Sequence, residues 1–342
     1  LISDGVAAGG LGISVTGSGG GNFGAWSFTN NSNSFTGPVT LSAGTLITSS
    51  LGNIGQNSAI GAGSSIQLNS GAQFKIAGPA TSTDRTINSI SGVIYAVSNP
   101  VTLNGAITMN SLTFRGGSNF IVNSVISGTG NLSRTDGGTV FLNQNNTFNG
   151  GVTIQDGAFR VSSIANGGVA SPLGSGTFIQ FGQNSSTVGR LEFDGPSGGS
   201  SNREIRLSNG TGASSGNGRI NSLTAGQTLT LSGTVRATSA TASHVSALNL
   251  TGFGNGILSG VVGGLTGAPT MANNMSLTKN GTGTWILSAA NIYYGATNIT
   301  DGTLLAMNST GSATGTGNVT TSASGILGGT GFIIPAAGNS IT

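Results

Sequence analysis

The chain has 342 residues, of which 62 are glycine and 6% are charged, and it lacks cysteine, which excludes disulfide, thiolate and zinc–thiolate chemistry. Its formal net charge of +3 comes without any basic cluster interleaved with aromatic residues, so we expect no nucleic-acid partner. No apolar run approaches the ~20 residues that span a bilayer, so we also expect no transmembrane segment in this chain.

Short strands of alternating apolar and polar residues run along the chain. In order they include Val39-Thr40-Leu41, Ile66-Gln67-Leu68, Phe74-Lys75-Ile76, Val152-Thr153-Ile154 and Leu229-Thr230-Leu231. Alternate side chains of a strand face opposite sides, so the outer apolar residues of each triplet should face inward and the central residue outward. Helical periodicity is missing throughout. The pattern predicts an all-β protein with almost no helix.

Three segments repeat one longer pattern, in which a polar, Asn-rich run leads to a Gly, an apolar-polar-apolar step and a second Gly. They are WSFTNNSNSFTGPVTLSAGTL (26–46), LSRTDGGTVFLNQNNTFNGGVTIQDGAF (132–159) and LTKNGTGTWILSAANIYYGATNITDGTL (277–304). A repeat of this kind cannot bury its apolar face alone, so the copies must stack. We therefore predict a single β-solenoid segment over residues 1–342. Because the chain opens at Leu1 and stops within a Gly-rich pattern, we expect it to be part of a longer precursor.

The segment SLTKNGTGTWILSAANIYYGATNITDGTLL resembles the autotransporter-associated β-strand repeat, also called the passenger-associated transport repeat. The shared features are a Leu-Thr-Lys step, Gly before Trp, an Asn-x-Tyr step before Gly, and a Gly-Thr-Leu close. The likeness is weaker at 132–159 and loosest at 26–46, where one residue is inserted before Gly37. The resemblance implies a right-handed parallel β-helix, secreted by a Gram-negative bacterium to the extracellular space or the outer-membrane surface.

The resemblance carries no catalytic residues over to this chain. Its matching positions are expected in the core and at corners: Trp26, Trp285, Tyr293, Gly302 and Leu304. From the strand alternation we further expect Trp285, Leu287, Ile299 and Leu304 to be buried, and Thr40, Thr153 and Asn298 to face outward.

Among the eight acidic residues, only Glu192 and Asp194 lie close together in the sequence. Their spacing of two residues puts both on the same face of a strand. Such a pair could hold a cation or a sugar, but a solvated strand face flanked by Arg190 is the preferred interpretation. Asp156 and Asp301 each precede a Gly at the same corner of two repeats, which is typical of a turn.

Two further residues have side chains of a type found in functional sites. His244 is the single histidine and has no Asp or second His near it in sequence, so we expect no metal site, no catalytic triad and no cofactor. Tyr294 should point away from Tyr293 if both lie on a strand. A surface tyrosine at this position is a candidate contact for carbohydrate.

The sequence therefore predicts a non-enzymatic, structural or adhesive solenoid outside the cell, with a carbohydrate or another cell-surface ligand as a possible partner. Because neither end shows a charged or helical cap, we expect self-association into a rod or fibre, end to end or side by side. The alternative is a carbohydrate-active or carbohydrate-binding β-helix, which would need a groove with several acids or bases. An ice-binding solenoid would require an aligned array of Thr-x-Thr steps, which the outward positions do not provide.

Overall fold

The structure is a computed structural model that describes residues 1–5, 10–17, 25–182, 187–208, 216–238, 246–263 and 275–342. Every regular element in these ranges is a β-strand, which confirms the all-β prediction. Accordingly, the described residues contain no helix able to cross a membrane. Contacts divide the chain into two compact units: unit 1 comprises 1–150 and 170–175, and unit 2 comprises 151–169 and 176–342. That residues 1–342 form one segment stays a prediction.

Unit 1 is built from short strands that pair in parallel with the strand one coil further along the chain. Its described strands are β1 (Ile13–Val15), β2 (Ala25–Phe28), β3 (Val39–Leu41), β4 (Gly44–Thr48), β5 (Ser65–Leu68), β6 (Ala72–Ile76), β7 (Thr81–Thr83), β8 (Thr86–Ser89), β9 (Gly92–Ala96), β10 (Val101–Leu103), β11 (Ile107–Met109), β12 (Leu112–Arg115), β13 (Phe120–Val122), β14 (Ile126–Gly128), β15 (Leu132–Arg134) and β16 (Thr139–Leu142). They form sheet A (β1-β3-β5-β8-β11-β14), sheet B (β2-β4-β6-β9-β12-β15) and sheet C (β7-β10-β13-β16). From β8 to β16 the chain visits the three sheets in turn, as a parallel β-solenoid does.

Unit 2 follows the same plan. Its described strands are β17 (Val152–Ile154), β18 (Gly157–Val161), β19 (Phe178–Phe181), β20 (Gly189–Phe193), β21 (Gly199–Ser201), β22 (Glu204–Leu207), β23 (Asn217–Ser222), β24 (Thr228–Leu231), β25 (Val235–Ala237), β26 (Ser246–Gly252), β27 (Asn255–Leu258), β28 (Met275–Lys279), β29 (Thr284–Leu287), β30 (Thr297–Ile299), β31 (Gly302–Ala306), β32 (Val319–Thr321) and β33 (Gly325–Gly329). They form sheet D (β17-β19-β22-β25), sheet E (β18-β20-β23-β26-β28-β30-β32) and sheet F (β21-β24-β27-β29-β31-β33). All of these pairings are parallel.

The core of each unit lies between its sheets and consists of stacked rows of apolar side chains. In sheet B, Leu46, Phe74, Ile94 and Phe114 are in register on four successive strands, and each is at most 1% exposed. Full burial of one such side chain contributes about 1.5–3 kcal/mol to stability. Stacking thus lets each narrow coil bury its inward face on its neighbours.

The burial predicted for the third repeat is confirmed, because four residues are fully buried: Trp285, Leu287, Ile299 and Leu304. Thr40 and Asn298 are partly exposed on the outer side of their strands, also as predicted. The prediction for Thr153 is wrong, since it is only 8% exposed. In β17 it is in register with Gln180 of the next coil.

Trp26 is a second correction. The repeat pattern assigns it to the core, but it is 56% exposed, whereas its counterpart Trp285 is fully buried. Trp26 lies on β2, which ends sheet B and is paired with β4 alone among the described strands. A strand at the end of a sheet is covered on one side only, so the same residue type in the same repeat position stays in solvent.

Candidate functional site

Each of the three repeat cores contains an asparagine followed two residues later by an aromatic residue. These steps are Asn33-Ser34-Phe35, Asn146-Thr147-Phe148 and Asn291-Ile292-Tyr293. The three asparagines are at most 3% exposed, and the three aromatic residues are fully buried. A buried amide side chain needs partners for both its oxygen and its NH2 group. In all three copies the neighbouring coils supply them.

The Asn146 side chain joins the coil before it to the coil after it. Its Oδ1 accepts the backbone N–H of Ile126 at 2.7 Å, and its Nδ2 donates to the backbone carbonyl of Pro172 at 2.7 Å. The same two bonds link Asn33 to Ile2 and Ala59, and Asn291 to Val262 and Ala313. We call these three side chains the asparagine braces. Each brace satisfies two backbone groups on different coils at once.

The coil after each brace carries a second repeated corner with the pattern Ser-x-x-Gly. It occurs as SAIG (58–61), SPLG (171–174) and SATG (312–315), and the glycines have φ values of 72°, 69° and 64°. A Cβ atom on Gly174 would lie 2.5 Å from the backbone oxygen of Phe148. Glycine therefore lets this corner sit directly on the aromatic residue of the preceding coil. The corner escaped prediction, although its recurrence after each repeat core is a signal in the sequence.

Four cations occupy the interior with exposures of at most 1%: Arg85, Arg134, Arg203 and Lys279. Arg85 donates from Nη1 to the carbonyl of Ile60 at 3.0 Å and from Nη2 to the carbonyl of Gly61 at 2.6 Å. It thereby holds the Ser-x-x-Gly corner of the coil before it. Burial lowers the pKa of Arg85 to about 10, so the guanidinium stays charged at neutral pH.

Lys279 plays a similar part in the third repeat. Its Nζ donates to the backbone carbonyls of Gly281 at 2.6 Å and Asp301 at 2.9 Å. Burial lowers the pKa of Lys279 to about 8, against the opposing effect of the Asp301 carboxylate. Arg134 takes the equivalent position in the second repeat and donates to the carbonyl of Gly116 at 2.5 Å. The side-chain N–H groups of these buried cations thus donate to backbone carbonyls at the corners between strands.

The two acids singled out in the sequence lie at the end of β20 in different surroundings. Glu192 is only 7% exposed, and its carboxylate pairs with Arg160 at 2.7 Å and with Arg190 at 3.5 Å. Asp194 follows the strand and is partly exposed, and its backbone N–H donates to Val161 at 3.0 Å. The Glu192 carboxylate is thus already neutralised by arginines, which suits a structural ion pair better than an acid–base catalyst.

Tyr293 and Tyr294 differ sharply in exposure, although neither lies on a strand, which is the condition of the prediction. Tyr293 is fully buried, and its hydroxyl lies 2.6 Å from that of Thr297. Burial raises the pKa of Tyr293 above its ordinary value. Tyr294 is 49% exposed, so part of its side chain is accessible at the surface. The proposed carbohydrate contact at Tyr294 stays a prediction.

The corner acids behave as turn residues. The carboxylates of Asp156 and Asp301 each accept the backbone N–H of the glycine that follows, at 2.7 and 2.8 Å. His244 lies outside the described residues, so its predicted lack of a role stays a prediction. Within the described ranges, no three His, Cys, Asp or Glu side chains come together in a way that could hold a metal ion.

Comparison with known proteins bears directly on these repeats. The model of the passenger-associated transport repeat matches residues 23–47, 132–161 and 277–306. A protein of Brucella suis biovar 1 (strain 1330), named "Adhesin BmaC autotransporter", is 31% identical over 317 residues, which cover 81% of this chain and 8% of that protein. The chain therefore spans a small part of the relative's length. No solved structure matches the chain.

Three segments of the chain match the passenger-associated transport repeat, which confirms the resemblance predicted from the sequence. Each of the three matched segments contains one asparagine brace and the buried aromatic residue that follows it. The repeats and the autotransporter relative also confirm the predicted location, which is the extracellular space or the outer-membrane surface of a Gram-negative bacterium.

Proposed function

We propose that this passenger-repeat chain is a non-enzymatic, adhesive and structural element that presents its outer sheet faces to partners outside the cell. The observation that supports this proposal is that the two sides of the strands carry different kinds of residue. The inward side holds the apolar rows, the braces and the buried cations, which leave the outward side free for contacts. The name of the Brucella relative, an adhesin, supports the same function.

The outer face of sheet A illustrates the kind of surface that is presented. Thr40, Gln67, Asn88, Thr108 and Ser127 are in register on five successive strands. All five are partly or fully exposed and uncharged. Such a row offers hydrogen-bond donors and acceptors at a fixed spacing, without the long-range field that a charged face would produce.

A second polar row runs along the turns of unit 1 and shows how the outer surface is kept rigid. Asn123 donates from Nδ2 to Oδ1 of Asn104 at 2.9 Å, and Asn143 donates in the same way to Asn123 at 2.7 Å. Ladders of this kind fix the rotamers of exposed amides. A partner then meets side chains that have already lost much of their conformational freedom, which lowers the entropic cost of binding.

Lack of enzymatic activity is part of the proposal. The best carboxylate candidate, Glu192, is paired with two arginines, and the corner acids Asp156 and Asp301 are used in turns. The strongly shifted pKa values of Arg85 and Lys279 belong to groups that donate to backbone carbonyls. Perturbed pKa values often mark active sites, but structural networks shift them as well.

Adhesion can be measured with the purified chain coupled to fluorescent beads. We expect the beads to adhere to cultured animal cells more strongly than beads that carry an unrelated parallel β-solenoid of similar size at the same density. A folded chain that adheres no better than this control would refute the adhesive function.

We also propose that copies of the chain associate with one another. Large apolar side chains in solvent, including Trp26 at 56%, Phe253 at 66% and Tyr294 at 49% exposure, support this because contact with a second copy would remove them from water. Sedimentation velocity should then show species larger than the monomer as the concentration rises through the micromolar range. A single monomeric species at every concentration would contradict it.

A further inference from the structure

The outer face of sheet E in unit 2 carries an unbroken row of polar side chains, which we call the polar tract. Its members, in strand order, are Arg190, Arg219, Asn249, Thr278, Asn298 and Thr320. Each is in register with the next one along the sheet. All are at least partly exposed, so the tract is open to a ligand from solvent.

One end of the tract has more positive than negative charge. Glu192 is held mainly by Arg160 at 2.7 Å, and Arg190 approaches the same carboxylate only at 3.5 Å. Arg219 lies directly beside Arg190 in the sheet. This part of the face therefore carries three arginines, Arg160, Arg190 and Arg219, and the Glu192 carboxylate contacts the first two of them.

Arg219 is not fully hydrogen-bonded within the protein. Its Nε is buried and has no hydrogen-bond partner among the described residues. Like charges directly opposite one another destabilise a sheet, so the pairing of Arg190 with Arg219 has a cost that an additional anion would offset. Guanidinium groups bind carboxylate and sulfate in a two-point geometry, which makes such an anion the natural partner of this end.

The remaining members of the tract indicate to which kind of molecule the anionic group is attached. Neighbouring strands are about 4.8 Å apart, so the tract offers one hydrogen-bonding side chain at each step along a line of about 24 Å. This step is close to the length of one sugar unit in an extended polysaccharide. Amides and hydroxyls can both donate to and accept from sugar hydroxyls. A nucleic acid would instead require cations along its whole length, whereas four of the six tract residues are uncharged.

We propose that the polar tract binds an acidic polysaccharide, a linear glycan that carries carboxylate or sulfate groups. Arg190 and Arg219 hold an anionic group, and Asn249, Thr278 and Asn298 contact the hydroxyls of the following sugar units. This inference rests on the proposed adhesive function, because it names the class of ligand for one adhesive face.

The test uses the complete chain and three immobilised probes in biolayer interferometry: heparin, which carries sulfate and carboxylate; hyaluronate, which carries carboxylate only; and neutral dextran. We expect binding to at least one acidic probe and none to dextran. Binding to hyaluronate identifies carboxylate as sufficient, and binding to heparin alone identifies sulfate as the required group. Either result supports the proposal.

Variants locate the binding on the molecule. Arg190→Gln combined with Arg219→Gln should weaken binding at least tenfold, and Asn249→Ala combined with Asn298→Ala should weaken it several-fold without a change of charge. Arg206→Gln combined with Arg236→Gln is the matched control, because it removes the same charge from sheet D. Far-UV circular dichroism and the urea midpoint of each variant establish that it is folded.

Three results would overturn the proposal: no binding to either acidic probe, equal binding to dextran, or equal losses in the sheet E and sheet D arginine variants. The bead assay keeps this outcome separate from that of the proposed function. Adhesion to cells without glycan binding refutes only the polar tract as a glycan site. Glycan binding without adhesion refutes only the adhesive function.

Discussion

Replacing Asn146 by alanine tests the asparagine braces most directly. The change removes both hydrogen bonds of the brace and leaves the N–H of Ile126 and the carbonyl of Pro172 without their side-chain partner. The brace is only 1% exposed, so water does not readily take its place. A buried polar group left unsatisfied costs about 1–3 kcal/mol, and two of them give an expected loss of about 2–6 kcal/mol in the free energy of unfolding.

The matched control is Asn145→Ala, which removes the same side chain from the neighbouring, exposed position. A surface substitution of this kind changes stability by no more than about 0.5 kcal/mol. Urea unfolding followed by circular dichroism gives the two free energies. Hydrogen exchange at the amide of Ile126 adds a local measurement, because a stacked protein can lose one coil junction without unfolding as a whole.

Asn146→Asp separates the two bonds of the brace. The aspartate can still accept from Ile126, but it sets an oxygen against the carbonyl oxygen of Pro172, so we expect no rescue of stability. The reasoning fails if Asn146→Ala and Asn145→Ala unfold at the same urea concentration and the Ile126 amide keeps its protection in both.

Three further predictions concern burial, glycine geometry and charge. Trp285→Ala should cost about 3–5 kcal/mol, and Trp26→Ala should cost less than about 1 kcal/mol, as judged by urea unfolding; equal losses would contradict the assigned burial. Gly174 and Gly168 both have a positive φ, but a Cβ atom would meet the backbone closely at Gly174 and would have no atom within 4 Å at Gly168. The melting temperature should therefore fall further in Gly174→Ala than in Gly168→Ala. The pKa of Lys279 in the folded chain is about 8, which is lower than the ~10.4 of an unfolded lysine. Between these two values the unfolded state binds more protons than the folded state. The free energy of unfolding should therefore rise between about pH 8 and pH 10. Lys279→Arg should unfold without this rise, and an identical pH profile in both proteins would refute the assignment.

The strands and much of the core could be predicted from sequence because their signal is local. An alternation with a period of two residues identifies Leu287 and Leu304 as inward whatever the rest of the chain does. The solvent exposure of Trp26 and of Thr153 could not be predicted in this way. Exposure of Trp26 depends on the place of its strand in the sheet, and the low exposure of Thr153 is not visible in the alternation of its own strand.

The braces and the buried cations were missed for a related reason. Asparagine is typical of turns and arginine of surfaces, so the residue types themselves suggest no interior role. Asn146 finds its partners 20 residues before it and 26 residues after it, and Arg85 finds its carbonyl partners 24 to 33 residues earlier. Only the stacking of coils brings these groups together.

The chemistry of the coil junctions determines which surroundings the fold tolerates. Amides and hydroxyls do not ionise, and Arg85, whose pKa is about 10, keeps its proton in mild acid. The chain has no thiol to oxidise and a single histidine to titrate. Acidification to about pH 5 and changes in the thiol–disulfide redox potential should therefore leave the junctions between coils unchanged, which suits a protein displayed where the cell controls neither proton concentration nor redox potential.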